Sequence, residues 1–207
     1  MKVKLISITN EPEKLICYCA RVSNPQNQEN KNIKKLLKYC IKKKHWSIFE
    51  QANMNIEITT TRGISPQILR HRSFNFQEFS QRYAKVSLNI PIPDLRLQDY
   101  KNRQNSIEME DEKKKIYFQE KIKKHFNQSI EIYNEMIDKG IAKESARFIL
   151  PLSTPTKLYM NGTIRNWIHY LQVRSDPSTQ KEHREIANEI IKIFKEHLPI
   201  ISDALNF

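Results

Sequence analysis

Glycine is scarce in this chain, and its scarcity limits how the protein can bind a phosphate or a dinucleotide. The 207 residues include only three glycines, Gly63, Gly140 and Gly162. Neither the Gly-x-Gly-x-x-Gly pattern of dinucleotide-binding folds nor the P-loop pattern can be written with glycines at these positions. An anionic ligand would therefore have to be bound by arginine side chains and helix N-termini.

The positive net charge has two interpretations. The chain has 35 Lys and Arg against 23 Asp and Glu, which gives a formal net charge of +12. Such an excess is typical of nucleic-acid-binding proteins, and it also suits a site for several small anions. Many lysines fall in runs, such as 42–44 and 113–115, which favour solvated helix faces over a nucleic-acid surface. A basic nucleic-acid-binding module stays open as the alternative.

Length and hydropathy predict a single domain over residues 1–207. No apolar run approaches the roughly 20 residues that cross a bilayer. The apolar part of the N-terminal segment is too short for a signal peptide. Three cysteines, Cys17, Cys19 and Cys40, form an odd set without a zinc-binding pattern. We therefore expect a cytoplasmic protein without a membrane segment or a metal site.

Hydrophobic periodicity predicts an α+β fold, in which helices pack against an antiparallel sheet. Alternating apolar residues predict a strand at 2–9 and a half-buried, antiparallel strand at 52–59. Prolines within 88–93 favour an edge strand there, and residues 96–110 are predicted to form a loop. A further strand is expected at 157–160.

Helical spacing of apolar residues predicts the remaining elements. The predicted helices cover 12–21, 33–44, a short segment from Ser65, 111–140, 143–151, 163–174 and 179–198. Asp111 is expected at a helix N-terminus and Gly140 at a helix C-terminus. Thr179 and Glu182 have the spacing of a capping box for the last helix.

Cationic side chains cluster at Arg70-His71-Arg72, which is followed by seven residues and then Ser80. Mutual repulsion disfavours such a row unless an anion lies between the side chains. The intervening residues mix aromatic rings with polar groups, which suits a flat ring beside phosphate or carbonyl groups. A solvated basic turn with buried phenylalanines is the alternative, and the local pattern leaves both open.

Two further segments place charge among apolar residues. His45 and Glu50 lie on either side of two aromatic residues. A turn whose aromatic rings pack into the core would show the same pattern, so the segment does not by itself indicate a site. Arg147 lies in a short helix whose residues 148–150 are expected to face the core. An arginine in that setting either extends to solvent or meets an anion.

These segments together resemble the signature of flavin-dependent thymidylate synthases. The matching segments, in the order of the family, are 20–23, 45–50, 67–82, 144–151 and 161–182. The resemblance implies mixed α/β protomers that form a homotetramer with active sites shared between subunits. It implies FAD as the cofactor, dUMP as the substrate, and methylenetetrahydrofolate and NADPH as co-substrates.

The resemblance also implies roles for individual residues. Arg174, which would polarise the pyrimidine, and His45 are expected at the catalytic centre. The residues expected to bind the cofactor are Ser47, Glu50, Arg70, His71, Arg72, Ser73, Glu78, Thr163, Arg165 and His169. Those expected to bind dUMP are Gln67, Arg70, Glu78, Ser80, Arg82, Arg147 and Arg174.

Four positions depart from the family pattern or from some of its members. They are Gln51, Thr163, His169 and Ser178. These changes leave open a relative that binds flavin and nucleotide without turnover.

Overall fold

The computed structural model describes all residues from 1 to 207, and they form an α+β protein, as predicted. The strands are β1 (Lys2–Ile8), β2 (Asn53–Thr61), β3 (Asn75–Glu78), β4 (Arg96–Gln98), β5 (Ser106–Glu108) and β6 (Pro155–Thr163). The α-helices are α1 (Pro12–Ala20), α2 (Ile33–Lys42), α3 (Ser65–Leu69), α4 (Glu112–Asp138), α5 (Lys143–Ala146), α6 (Ile164–Arg174), α7 (Lys181–His197) and α8 (Pro199–Leu205). Short 3-10 helices cover Pro25–Asn27, Trp46–Glu50 and Arg147–Ile149.

Four strands form an antiparallel sheet in the order β1-β2-β6-β3. In the two central strands, every second residue is buried, for example Met54, Ile56 and Ile58 in β2. Successive side chains of a strand point to opposite faces, so this alternation means that one face of the sheet packs against the protein interior. The prediction of a half-buried strand at 52–59 is confirmed.

The region between β3 and α4 differs from the prediction. Residues 88–92 form no strand, and β4 pairs antiparallel with β5 inside the segment that was predicted to be a loop. The turn between them is built by Asp99, whose carboxylate accepts the backbone N–H groups of Lys101 and Asn102 over 2.8 and 3.0 Å. Such bonds between a polar side chain and the nearby backbone leave no hydrophobic period in the sequence.

Two of three predicted helix ends are confirmed. Asp111 caps α4 by accepting the backbone N–H of Lys114 over 3.0 Å. Gly140 follows the end of α4 with a φ of +79°, which suits glycine. The capping box is wrong, because the Thr179 hydroxyl donates to the Val173 carbonyl instead. The last predicted helix, 179–198, corresponds to α7, and α8 follows it as a separate helix.

The chain divides into two compact units. Unit 1 contains Met1–Ile58, Leu69–Gln77 and Tyr159–Phe207, and unit 2 contains Thr59–Ile68 and Glu78–Leu158. The expectation of one domain stays a prediction. None of the helices combines the length and the apolar content that a membrane span requires.

Each unit has its own apolar interior. Buried side chains of unit 1 come from α1, α2, β2, α6 and α7, and they include Leu37, Trp167 and Phe194. In unit 2, Val86, Tyr133 and Ala146 form a buried cluster, which partly buried residues such as Phe79 and Leu150 contact.

Candidate active site

The central histidine of the Arg70-His71-Arg72 segment contacts Arg174, the last residue of α6, within unit 1. Arg174 donates from Nε to Nε2 of His71 over 2.7 Å. Burial, and then the charges of Arg174 and His169, lower the pKa of His71 to about 4. His71 is therefore neutral at pH 7, as an acceptor must be. The bond fixes the plane of the guanidinium and does not use its two Nη groups.

Two buried side chains that the sequence analysis missed lie behind His71. The ring of Tyr170 meets that of His71 edge-on, with centroids 4.9 Å apart. The Tyr170 hydroxyl is hydrogen-bonded to Nε2 of His183 over 3.0 Å. Burial, with the charges of Arg174 and His71, lowers the pKa of His183 to about 3, and burial raises the pKa of Tyr170. His71 thus rests on uncharged polar rings, which favours its own neutral form.

One sequence signal could have identified His183. It lies in register with the buried stripe of α7, three residues before Ile186 and seven before Ile190, both of which are fully buried. A histidine on the apolar stripe of a helix is expected to be buried, and a buried histidine needs a hydrogen-bond partner.

Phe74 anchors the cationic segment to α6. Its buried ring packs edge-on against Trp167, at a centroid distance of 4.8 Å, and lies 5.9 Å from the ring of Tyr170. A Cβ on Gly162 would lie only 2.5 Å from Cδ1 of Phe74, so glycine makes room for the ring. The side-chain amide of Asn166 adds a bond to the Ser73 carbonyl over 2.6 Å.

A cavity of about 490 Å³ adjoins this segment in unit 1. Its lining residues are Trp46, Glu50, Ser73, Arg165, Asn166, Ile168, His169 and Gln172. Four of the predicted cofactor residues are among them, and one of these, Arg165, pairs with the Glu50 carboxylate. The lining combines an aromatic ring and an aliphatic side chain with several hydrogen-bond donors. Such a lining suits a flat, polar heterocycle.

Eight of the twelve residues predicted at the cofactor or catalytic site do not line this cavity, among them His45, Ser47 and Thr163. His45 and Ser47 are exposed, and the His45 ring meets Tyr39 edge-on at 5.8 Å. Thr163 caps α6, since its hydroxyl accepts the backbone N–H of Asn166 over 3.3 Å. The roles that the resemblance implies for these three residues stay predictions.

Arg21, in the matched segment 20–23, has a structural role. Its guanidinium donates to the carbonyls of Asn30 and Asn32 over 2.6 and 2.9 Å, which pins the polar loop before α2. Arg21 also lines a cavity of about 680 Å³ between α1 and this loop. No residue that was predicted to be catalytic or ligand-binding lines it.

Unit 2 contains a densely bonded carboxylate, Glu78. Its Oε1 accepts the hydroxyls of Ser65 and Thr156 over 2.7 and 2.9 Å. The same oxygen lies 2.7 Å from Nη1 of Arg62. All three contacts come from residues of unit 2.

The predicted phosphate-binding arginines also lie in unit 2. Nε of Arg82 lies 2.8 Å from a carboxylate oxygen of Glu144, and both side chains are more than half exposed. Arg147 is half-buried, and its guanidinium carbon lies 5.5 Å from the centroid of the Phe148 ring.

The prediction that residues 148–150 face the core is wrong for two of them. Phe148 is 82% exposed and Ile149 is 39% exposed, whereas Leu150 contacts the core of unit 2. The chain tightens at Arg147 into a 3-10 helix, and the three-residue turn changes which side chains face inward.

Ser80 lies beside a buried amide that the sequence analysis missed. Ser80 itself is half-buried, and its carbonyl accepts the backbone N–H groups of Tyr83 and Ala84 over 3.2 and 3.1 Å. Gln81 is only 7% exposed, and its Nε2 has no partner within the chain. A buried, unpaired N–H₂ group is costly, and a ligand acceptor would satisfy it.

Comparisons with known proteins agree with the resemblance. A family model described as thymidylate synthase complementing protein matches residues 4–200. A probable flavin-dependent thymidylate synthase of Paramecium bursaria Chlorella virus 1 is 54% identical over the whole of both chains. A flavin-dependent thymidylate synthase of Synechocystis is 52% identical, again over both whole chains.

A solved structure shares the fold. A UMP/dUMP methylase, PolB from Streptomyces cacaoi, bound with 5-Br dUMP, superimposes with a TM-score of 0.88 at 23% identity. The match covers 99% of this chain and 94% of that one.

Proposed function

The chain belongs to the family of thymidylate synthase complementing proteins, the flavin-dependent thymidylate synthases, and from this premise we propose how its residues carry out the reaction. The reaction is the reductive methylation of dUMP to dTMP, with FAD as the cofactor. The observation that carries our assignment of residues is the bond from Arg174 to His71, because it joins the two segments to which the resemblance gives the chemistry.

Arg174 is the candidate catalytic residue. C5 of dUMP is a poor nucleophile, and negative charge builds on N3 and O4 of the ring when C5 attacks. A guanidinium beside these atoms stabilises that charge, as donors do in an oxyanion hole. Because His71 already holds Nε of Arg174, the Nη groups need little reorganisation to meet the ring. A guanidinium stays protonated, so Arg174 acts by charge and not as a base.

The residues around the cavity in unit 1 fit FAD. Ser73, Arg165, Asn166 and His169 would hold it through hydrogen bonds, and Trp46 offers an aromatic surface to a flat ring. Bound FAD supplies the hydride and takes part in moving the one-carbon unit, and this organic chemistry belongs to the cofactor. The protein orients the cofactor and, lacking a glycine-rich loop, binds its phosphates through side chains.

Arg82 and Arg147 are the candidate residues for the phosphate of dUMP. An exposed ion pair such as that of Arg82 with Glu144 contributes about 0–1 kcal/mol, so a phosphate can displace the carboxylate at little cost. Forked hydrogen bonds from two guanidinium groups then hold the phosphate. We place Ser80 beside them as a hydrogen-bonding residue, with Gln67 and Arg70 as the further nucleotide contacts that the resemblance implies.

We also propose a homotetramer with shared active sites, and methylenetetrahydrofolate and NADPH as co-substrates. Exposed apolar side chains of unit 2 support self-association: Phe148 is 82% exposed, Tyr83 75% and Leu152 74%. Fully burying one such side chain contributes roughly 1.5–3 kcal/mol.

Turnover tests the proposed function directly. The purified protein should take up FAD, turn yellow, and release tritium from C5-tritiated dUMP only with NADPH and methylenetetrahydrofolate present. A colourless protein that takes up no FAD would contradict the proposal. Bound FAD and dUMP without dTMP formation would instead support a relative without turnover. Tight, salt-sensitive binding to oligonucleotides that substitutions of Arg70, Arg147 and Arg174 reduce only modestly would support the nucleic-acid alternative.

Two arginine variants test the assigned roles. Arg174→Ala should abolish turnover while the circular dichroism spectrum stays that of the wild type, and normal activity would refute its role. Arg147→Ala should mainly raise the dissociation constant of dUMP, and an unchanged constant would refute the phosphate contact. Arg103→Ala, an exposed arginine outside the matched segments, is the control and should change neither quantity.

A further inference from the structure

We propose that Arg62 is a positioning residue, which acts with Ser65 and Thr156 to fix the carboxylate of Glu78 for a hydrogen bond to the nucleotide. The inference rests on the proposed function, because only the resemblance places Glu78 at the ligand. The donors around Glu78 determine which type of ligand group its carboxylate can bind.

The three donors reach Glu78 from well-fixed positions. Ser65 and Thr156 are buried, at 1% and 3% exposure, so their hydroxyls have few alternative orientations. Arg62 lies just after β2, where its backbone N–H donates to the Thr154 carbonyl over 2.9 Å. The side chains of Arg62 and Glu78 are 34% and 17% exposed. A charged pair that is this poorly hydrated needs good geometry, and the two hydroxyls provide additional bonds.

All three contacts end on one oxygen. Oε1 of Glu78 accepts hydrogen bonds from the side chains of Ser65, Thr156 and Arg62, and none of these bonds involves Oε2. Three donors around one oxygen prevent rotation of the carboxylate, so Oε2 presents its lone pairs in a fixed direction. A carboxylate oxygen that is ionised can only accept hydrogen bonds. The ligand group must therefore be a donor, such as a ribose hydroxyl or a ring N–H, and not a phosphate.

The positive charge of Arg62 has a second effect. An unpaired carboxylate would repel the phosphate of the same nucleotide, whereas a carboxylate paired with a guanidinium contributes little net charge. Arg62 thus lets one site combine an acceptor for the sugar or the base with cations for the phosphate. If the ion pair only stabilised unit 2, it would neither orient the Glu78 carboxylate towards the nucleotide nor reduce its repulsion of the phosphate.

A double-mutant cycle distinguishes positioning from structure. We would titrate the FAD-loaded protein with dUMP by calorimetry for the wild type, Arg62→Gln, Glu78→Gln and the double variant. Bonds to charged groups are worth about 1.5–3 kcal/mol, so Arg62→Gln should raise the dissociation constant about tenfold or more. Because Arg62 acts through Glu78, Arg62→Gln should add no further loss in the Glu78→Gln background. Equal losses in both backgrounds, or no loss in either, would overturn the inference.

Conservative and matched variants complete the test. Arg62→Lys keeps the charge and should stay within about threefold of the wild type. Arg96→Gln removes another partly buried ion pair of unit 2, that with Asp94 at 3.2 Å, and should leave dUMP binding unchanged. If Arg62→Gln does not fold, Thr156→Val removes a single donor, and its loss of affinity should likewise vanish in the Glu78→Gln background.

Steady-state kinetics give a second readout. Arg62→Gln should raise KM for dUMP more than it lowers kcat, since the lost contact is made in the ground state as well as in the transition state. Failure of the proposed function would be visible in the wild type, as absence of dUMP binding. Failure of the positioning role would appear only as additive losses in a protein whose wild type binds dUMP.

Discussion

Replacing Gly162 with alanine should disturb both the stability and the activity of the protein. The added Cβ would lie 2.5, 2.7 and 3.3 Å from Cδ1, Cε1 and Cγ of Phe74. Carbon atoms pack at about 3.5–4.0 Å, so the Phe74 ring would have to move by roughly 1 Å. Trp167 and Tyr170 pack against that ring and restrict such a move.

The cost follows from overpacking of a filled core. Adding a methyl group to a well-packed interior costs typically about 1–3 kcal/mol, and in a chain of this length each kcal/mol lowers the melting temperature by about 2–4 °C. The backbone N–H of Phe74 donates to the His71 carbonyl over 3.1 Å, so a displaced Phe74 also displaces His71. Since His71 orients Arg174, kcat should fall about 10- to 100-fold.

The other two glycines are matched controls. A Cβ on Gly63 would meet its nearest neighbour, the Leu152 carbonyl oxygen, at 3.5 Å, which is an ordinary contact. Gly63→Ala should therefore be neutral or more stable by about 0.4–1 kcal/mol. Gly140 has open space but a φ of +79°, so Gly140→Ala should cost about 1 kcal/mol and leave kcat unchanged.

Urea unfolding and the rate of dTMP formation measure both effects. The expected pattern is that Gly162→Ala loses stability and kcat, Gly140→Ala loses stability alone, and Gly63→Ala loses neither. Exchanging Phe74 for leucine in the Gly162→Ala background should recover part of the lost kcat, because a shorter side chain relieves the contact. If Gly162→Ala is as stable and as active as Gly63→Ala, the packing argument is wrong.

Three further predictions concern titration and cofactor binding. His183 should make the protein acid-labile, because its pKa falls from 6.5 to about 3 on folding. The free energy of unfolding is therefore highest above pH 6.5, and it falls by up to about 5 kcal/mol as the pH drops through 6.5 towards 3. Urea unfolding between pH 8 and 4 should show this loss, and a flat profile would contradict it. Glu13, whose buried carboxylate accepts the Ile201 N–H over 2.8 Å, has its pKa raised by burial, so its ionisation at high pH destabilises the fold. Glu13→Gln should therefore equal or exceed the wild type in stability at pH 8, and a large loss there would refute the sign. Arg165→Ala should weaken FAD retention about tenfold without unfolding, as measured by visible absorbance after dialysis, because the side chain is about half exposed; unchanged retention would exclude the contact.

Elements whose signal is local could be predicted from the sequence. The strand β2 and the helices α2 and α4 show their period within one segment, and their bounds agree with the prediction within a few residues. The hairpin of β4 and β5 could not be predicted, because it depends on side-chain bonds of Asp99 to the backbone and carries no hydrophobic period. The prediction that residues 148–150 face the core was wrong for another local reason. The chain forms a 3-10 helix there, and its tighter turn brings different side chains to the interior than an α-helix would.

The geometry of the candidate site depends on long-range contacts that no local pattern contains. His71 and Arg174 are 103 positions apart, and contacts such as that of Phe74 with Trp167 of α6 bring them together. Glu78 and Thr156 are 78 positions apart in the chain. The resemblance indicates that His71, Arg174 and Glu78 matter, but it does not include Thr156 and does not show which side chain contacts which.

The pKa of His71 changes the interpretation of the cationic segment itself. Taken from the sequence, Arg70-His71-Arg72 is a row of three positive charges whose repulsion has to be offset by an anion. In the folded chain, His71 is half-buried with its pKa lowered to about 4, whereas Arg70 and Arg72 are exposed. The row therefore holds two solvated charges separated by a neutral ring, and most of the repulsion is removed before any ligand binds. Folding makes the middle residue an acceptor for Arg174 and leaves its neighbours exposed, so one segment both orients that guanidinium and presents two cations to solvent, where an anion can reach them.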